Sequence, residues 1–216
     1  MIISGISLSL IPAMAQFNTV SSASDYYREE SVQAATKDKE TASDNTGSGK
    51  GVSENTGKSG ARGDVQRQMV VERYLSVSYP LPRIKVTSPY GYRKDPFTGK
   101  RKFHGGIDLQ ARGDKVLAMM AGTVVKVVQD KTSGKYVTLQ HGNCMISYCH
   151  LSKILVARGT AVRPRDAVGI TGSTGRSTGE HLHITCRLNG KSVDPAILFE
   201  HVRRVQQECV SALAEL

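Results

Sequence analysis

Six histidines occur in the 216-residue chain, and four of them sit in short runs whose residue types suit metal chemistry. His104-Gly105-Gly106-Ile107-Asp108 sets an imidazole and a carboxylate four residues apart. On a straight strand they would lie ~13 Å apart, too far to share one ion. The glycine pair is expected to let the backbone fold back and bring both side chains to one point. His181-Leu182-His183 falls in a β-branched, strand-like run. Its imidazoles then project from one face, about 6–7 Å apart along the strand. Together these residues offer the nitrogen and oxygen ligands that zinc takes, with room for an open position. By spacing alone, both His181 and His183 could bind metal. A lone His-x-His is an ordinary surface feature. Here the glycine loop Gly169–Gly179 runs directly into His181, and Tyr148-Cys149-His150-Leu151 occupies a strand between the two motifs, so a shared site is expected.

The elements that must position these groups read as short strands. Ile84–Val86, Val116–Met120, Thr123–Val128, Tyr136–Gln140, Met145–Tyr148, Ala167–Ile170 and Leu182–Arg187 are β-branched or apolar runs. Ala121-Gly122, Ser133-Gly134, His141-Gly142-Asn143 and Asn189-Gly190 separate them. That texture predicts an all-β, antiparallel sheet domain. Helical periodicity occurs only at its flanks. One short helix is expected from an Asp64 cap to about Leu75, ahead of Pro80 and Pro82. A second, amphipathic helix is expected over 196–216, with Ile197, Leu198, Val202, Val205, Cys209 and Leu213 on one side.

The N-terminal third has another character. Met1–Ile11 is apolar and uncharged, and Ala13-x-Ala15 precedes Gln16. Residues 1–15 are therefore expected to be a signal peptide, although no Lys or Arg precedes the apolar run. The run is far short of the ~20 residues that span a bilayer, and no Cys follows the expected cleavage point, so no lasting membrane anchor is expected. Residues 16–63 are rich in Ser, Thr, Gly and charge, too poor in large apolar groups to offset the entropy of ordering, and are expected to form a disordered linker. Asn55-Thr56-Gly57-Lys58-Ser59 resembles a phosphate loop only superficially, because Val52 stands where that motif needs glycine. The expected layout is thus signal 1–15, linker 16–63, helix and connector 64–78, a strand-rich domain 79–195 that holds the histidine motifs, and terminal helix 196–216.

Charge follows the same division. Residues 1–78 hold 8 Lys/Arg and 9 Asp/Glu, whereas residues 79–216 hold 21 and 10. A basic domain attracts nucleic acid, anionic lipid or an acidic polymer such as bacterial cell wall. With no Trp and 6% aromatic residues, a stacking surface for single strands is not expected. Nucleic acid is therefore not the expected partner.

The ordered motifs resemble those of the lysostaphin- and LytM-like zinc endopeptidases of bacterial cell walls. The resemblance runs from about Thr87 to Pro195. It is carried by Ser88-Pro89-Tyr90-Gly91-Tyr92-Arg93, the His104–Asp108 motif, Ala118–Gly122, Tyr148–Ser152, Thr171–His183, Asn189-Gly190 and Asp194-Pro195. It implies a lysostaphin-like antiparallel β-sheet sandwich with a catalytic groove. It also implies that His104, Asp108 and His183 ligate Zn2+, while His150 and His181 flank a metal-activated water without being ligands. Either flanking histidine could then take the water proton, and the other stabilise the oxyanion. The implied substrate is peptidoglycan. Arg93–Gly99 is similar to members that cut D-Ala–diaminopimelate cross-links, which points to an exported enzyme of the periplasm or cell envelope. A non-catalytic wall-binding or envelope-assembly factor on the same fold is the competing reading, and a partner in an envelope or secretion machine is compatible with either. Cys149 departs from the central motif and Ile184-Thr185-Cys186 from the last. Strand parity predicts that Cys149 faces away from the groove and meets Cys186 beneath the site, as free thiols or as a disulfide.

Overall fold

The computed structural model describes residues 57–216. The expected signal peptide and most of the expected linker lie outside the described residues. Helix α1, Gly57–Leu75, begins seven residues before Asp64, so Asp64 lies inside the helix instead of capping it. Thirteen strands follow: β1 Val86–Ser88, β2 Gly91–Lys94, β3 Arg101–His104, β4 Ile107–Gln110, β5 Lys115–Leu117, β6 Gly122–Asp130, β7 Gly134–His141, β8 Cys144–Leu151, β9 Lys153–Ile154, β10 Ala161–Val162, β11 Ala167–Ile170, β12 His181–Leu188 and β13 Lys191–Val193. Helix α2, Ala196–Ala214, closes the chain.

All the strand pairings are antiparallel. The main sheet runs β1-β4-β12-β8-β7-β6-β10, with β13 added to β12. A three-stranded sheet has the order β5-β11-β9, and β2 pairs with β3 as an isolated ribbon. Long alternating runs made β6, β7, β8 and β12 legible in the sequence. The β2–β3 ribbon was not, because Gly-Tyr-Arg-Lys and Arg-Lys-Phe-His carry charge where a strand signal needs apolar alternation. Strand β4 was likewise hidden beside a glycine pair, although Ile107, Asp108 and Leu109 are all buried.

Cross-strand register sorts the main sheet into two faces. Leu109, Leu139, Ile146, Tyr148, Leu182, Ile184 and Cys186 form the dry face, with Val116, Met119 and Val168 equally inaccessible. The Tyr148 hydroxyl accepts a hydrogen bond from the Met119 amide at 3.3 Å. This gives the one polar atom of a fully buried ring a partner. Burial also pushes the Tyr148 phenol well above its ordinary pKa. Helix α2 buries Leu198, Val202, Val205 and Cys209 along the stripe expected from sequence, and Arg73 of α1 pairs with its Glu208 at 2.6 Å. Among the described residues, no helix is long and apolar enough to cross a membrane.

Candidate active site

The opposite face of the main sheet carries the candidate site residues, and register puts them there. Strand β12 pairs with β4 so that His183 stands directly across from Asp108, and with β8 so that His183 stands across from Cys149. His183 Nδ1 lies 2.7 Å from Asp108 Oδ1. His104, at the end of the β2–β3 ribbon, brings Nε2 to 3.1 Å from His183 Nδ1 and 3.2 Å from Asp108 Oδ1. Its other nitrogen donates to the Pro89 carbonyl at 2.8 Å, which aims Nε2 at the cluster. Gly106 makes this approach feasible. A Cβ there would lie 2.6 and 2.7 Å from His183 Cε1 and Nε2, and closer still to the Ile184 carbonyl oxygen. Gly105 has open space around it, so the glycine pair serves close approach at one position only.

Two imidazole nitrogens and one carboxylate oxygen thus converge with ligand atoms within 4.8 Å of one another. Their separations approach the ~3.3 Å edge of a tetrahedron with ~2.0 Å bonds, so the donor set fits zinc. Burial alone would raise the Asp108 carboxyl. Hydrogen bonds from His104 and His183 outweigh it and hold the group well below the usual carboxylate range. Arg93, to which no role was assigned from sequence, reaches the second oxygen, Oδ2, at 3.7 Å.

His150 and His181 stand beside this cluster, their ring centroids 4.8 Å apart. His181 Nδ1 donates to the Gly179 carbonyl at 2.8 Å, leaving Nε2 3.6 Å from Asp108 Oδ1. His150 Nδ1 donates to the Thr174 carbonyl at 2.7 Å. A carbonyl can only accept, so both neutral rings keep the proton on Nδ1 and carry a lone pair on Nε2. Burial, the first cause, lowers the pKa of His150 and favours its neutral form. Thr174 is held by a backbone contact that tolerates only glycine. Gly134 and Gly175, with φ of 65° and 73°, lie against each other and against Thr174 without room for a Cβ. The Thr174 hydroxyl donates to the Leu151 carbonyl at 2.8 Å.

The structure corrects the parity argument for the cysteines. His150 has φ 62°, a left-handed conformation that interrupts strand alternation. Cys149 therefore stays on the His183 face, and the parity argument fails at the residue it started from. The thiol that neighbours Cys186 is Cys144, with sulfurs 3.6 Å apart, and all four cysteines are free and buried.

A groove of about 600 Å³ opens over the five residues, walled by the β2–β3 ribbon and the 176–180 loop. Asp95 clamps these walls together. It accepts from the amides of Phe97 and Thr98 at 2.9 Å and from Arg176 at 3.0 Å, and Arg176 also lies over the Phe97 ring at 4.5 Å. Neither Asp95 nor Arg176 was singled out from sequence, because the contact joins positions 81 residues apart.

A two-histidine, one-carboxylate centre with two oriented histidines beside it, on an antiparallel sheet, is a site of the metallopeptidase class. Residues 102–195 match the profile of Peptidase family M23, and the chain carries a domain of that family over this stretch. An uncharacterized metalloprotease of Haemophilus influenzae is 42% identical over 122 residues, covering 54% of this chain and 26% of its own. The peptidoglycan DD-endopeptidase ShyA of Vibrio cholerae is 37% identical over 120 residues, covering 54% and 28%. The matched stretch is thus about a quarter of each relative's length. The catalytic domain of lysostaphin from Staphylococcus simulans aligns with a TM-score of 0.50 at 26% identity, covering 62% of this chain and 97% of that domain.

Proposed function

We propose that this chain is an exported zinc endopeptidase that hydrolyses peptide cross-links of bacterial peptidoglycan at the D-Ala–diaminopimelate bond, in the periplasm or cell envelope. His104, Asp108 and His183 hold the metal, and His150 and His181 are the catalytic pair. The observation that carries this reading is the convergence of Asp108, His104 and His183 beside two imidazoles whose Nδ1 atoms are both committed to backbone carbonyls. The relatives named for peptidoglycan and DD-endopeptidase activity support the substrate and the location.

Zinc bound here supplies Lewis acidity, bringing a water towards a pKa of ~7 and polarising the scissile carbonyl. The protein's own share is proton handling and orientation. His150 and His181 present Nε2 lone pairs towards the groove, each fixed by its Nδ1–H bond, so either can accept the water proton. The imidazolium so formed returns the proton through Nε2 to the leaving amine. The second imidazole, when protonated, donates to the oxyanion of the tetrahedral intermediate. The Asp95–Arg176 clamp holds the two walls at a fixed width around the peptide.

The test is digestion of purified cross-linked peptidoglycan by the zinc-loaded chain, the chelated chain and the His181→Ala variant, with mass spectra of the released muropeptides. Chelator-sensitive loss of cross-linked dimers, absent in the variant, supports the endopeptidase and names the bond. Intact dimers after exposure to a folded, zinc-loaded protein sink it and favour a non-catalytic envelope factor.

A further inference from the structure

The sheet face that carries His183 continues past the histidines into a second hollow, of about 220 Å³, which the proposed hydrolysis does not use. Register builds it. Lys126 pairs with Thr138, Thr138 with Ser147, and Ser147 with Thr185, so four strands place one row of side chains on this face. The next row contains Arg187, opposite Met145. Along β12 the series His183, Thr185, Arg187 keeps to one side, which sets Arg187 about 13 Å along the strand from His183.

The chemistry of this hollow is one-signed. Its floor is hydroxyl-rich, with Thr138 and Ser147 hydrogen-bonded at 2.9 Å. Lys126 and Arg187 line it, and the side chain of neither has an ion pair or hydrogen bond among the described residues. No Asp or Glu lines it. Two carboxylates lie beyond the end away from Arg187: Asp108, bound to His183, and Asp130, bound to the Ser133 amide. Asp130 is already engaged: its Oδ1 accepts from the amides of Thr132 and Ser133, at 2.8 and 2.5 Å. Two uncompensated cations at the rim of a polar hollow favour an anion, and a guanidinium pairs best with a planar carboxylate.

We propose that this hollow is a carboxylate subsite: Lys126 and Arg187 receive a side carboxylate of the stem peptide while the bond to be cut lies at the histidines. An extended peptide covers the intervening ~13 Å with about four residues, so the acidic group belongs to the same peptide arm. Bridges built of glycine carry no such group and leave both cations unpaired. The identity of the peptide rests on the hydrolytic reading; the preference for a carboxylate rests on the hollow itself.

The probe is the tetrapeptide L-alanyl-γ-D-glutamyl-meso-diaminopimelyl-D-alanine, compared with the same peptide whose side carboxyls are amidated. Titration of each into the full chain, followed by calorimetry and by amide shifts, measures binding without turnover. The free acid is expected to bind at least about tenfold more tightly and to shift Lys126, Thr185 and Arg187, with the advantage shrinking as salt shortens the Debye length. The double variant K126Q/R187Q is expected to bring the ratio of affinities to about one, while Arg187→Lys keeps part of it. Equal binding of acid and amide by the parent chain overturns the subsite. So does absence of binding, a ratio that survives in the double variant, or equal weakening of both peptides by that variant. Loss of digestion with this preference intact would overturn the hydrolytic reading alone. Digestion without the preference would overturn the subsite alone.

Discussion

Gly106→Ala is the substitution whose effect can be worked most directly from the structure. The added Cβ would meet His183 Cε1 at 2.6 Å and Nε2 at 2.7 Å, with the Ile184 carbonyl oxygen nearer still. Ordinary contact begins near 3.4 Å, so the imidazole must retreat by about 0.7 Å or the β12 backbone must move. Overpacking of this kind costs about 1–3 kcal/mol. At about 2–4 °C per kcal/mol, the melting temperature of the metal-free protein should fall by roughly 2–12 °C. The same retreat spoils a donor triangle whose sides are 2.7, 3.1 and 3.2 Å. Zinc affinity should then fall by about tenfold or more, the range seen when the groups that orient ligands are disturbed. Since binding stabilises the folded state through RT ln(1 + [L]/Kd), a tenfold loss removes about 1.4 kcal/mol of the zinc-induced stabilisation at a fixed zinc concentration well above both dissociation constants. Melting with and without zinc separates the two effects, and a competing chelator gives the affinity. Gly105→Ala, with nothing within 4 Å, is the control and should leave both quantities nearly unchanged. A Gly106→Ala protein with parental zinc affinity would refute the displacement of His183. Equal losses in the two alanine variants would refute the close-approach argument altogether.

Other outcomes follow from the same geometry. His150→Ala and His181→Ala should each lower cleavage by about 10²–10⁴-fold while zinc content stays near one per chain, whereas His104→Ala should lose both; activity and metal analysis of the three variants check this. Asp95→Ala removes the acceptor of the Phe97 and Thr98 amides, so hydrogen exchange at those two residues should accelerate while the β7–β8 amides stay protected. His141 and His201 are held below the ordinary histidine value, burial being the first cause for both. The folded chain therefore binds fewer protons than the unfolded one. This contribution is fully present above the unfolded value of ~6.5 and is lost as pH falls below it towards the folded values. Melting temperatures measured in chelator should drop between about pH 7.5 and 5.5, less steeply in His201→Gln, and a flat profile would contradict the assignment. Burial, with the charge of Asp130, pushes the Cys149 thiol up to about 12. Thiol reagents at pH ~8 should leave the native chain unlabelled and modify four cysteines on denaturation without reductant, and a count of two would reveal a disulfide.

The donors and their order along the chain were legible because they are local. His104 and Asp108 flank a glycine pair, and His181 and His183 share one side of a strand by the period of two. The long alternating strands and the apolar stripe of helix α2 were legible for the same reason. Their partners were not. That Asp108 faces His183 is a matter of β4–β12 register, and that Gly106 alone needs its missing Cβ depends on how closely His183 approaches. Parity predicted a Cys149–Cys186 pair and failed, because the left-handed turn at His150, held by Thr174 and the Gly134–Gly175 contact, ends the alternation on which parity rests. The Asp95–Arg176 clamp and the Lys126–Arg187 hollow join residues distant in sequence. Side-chain period is a property of the local backbone, whereas register, close approach and charge pairing are set only when distant segments pack against one another.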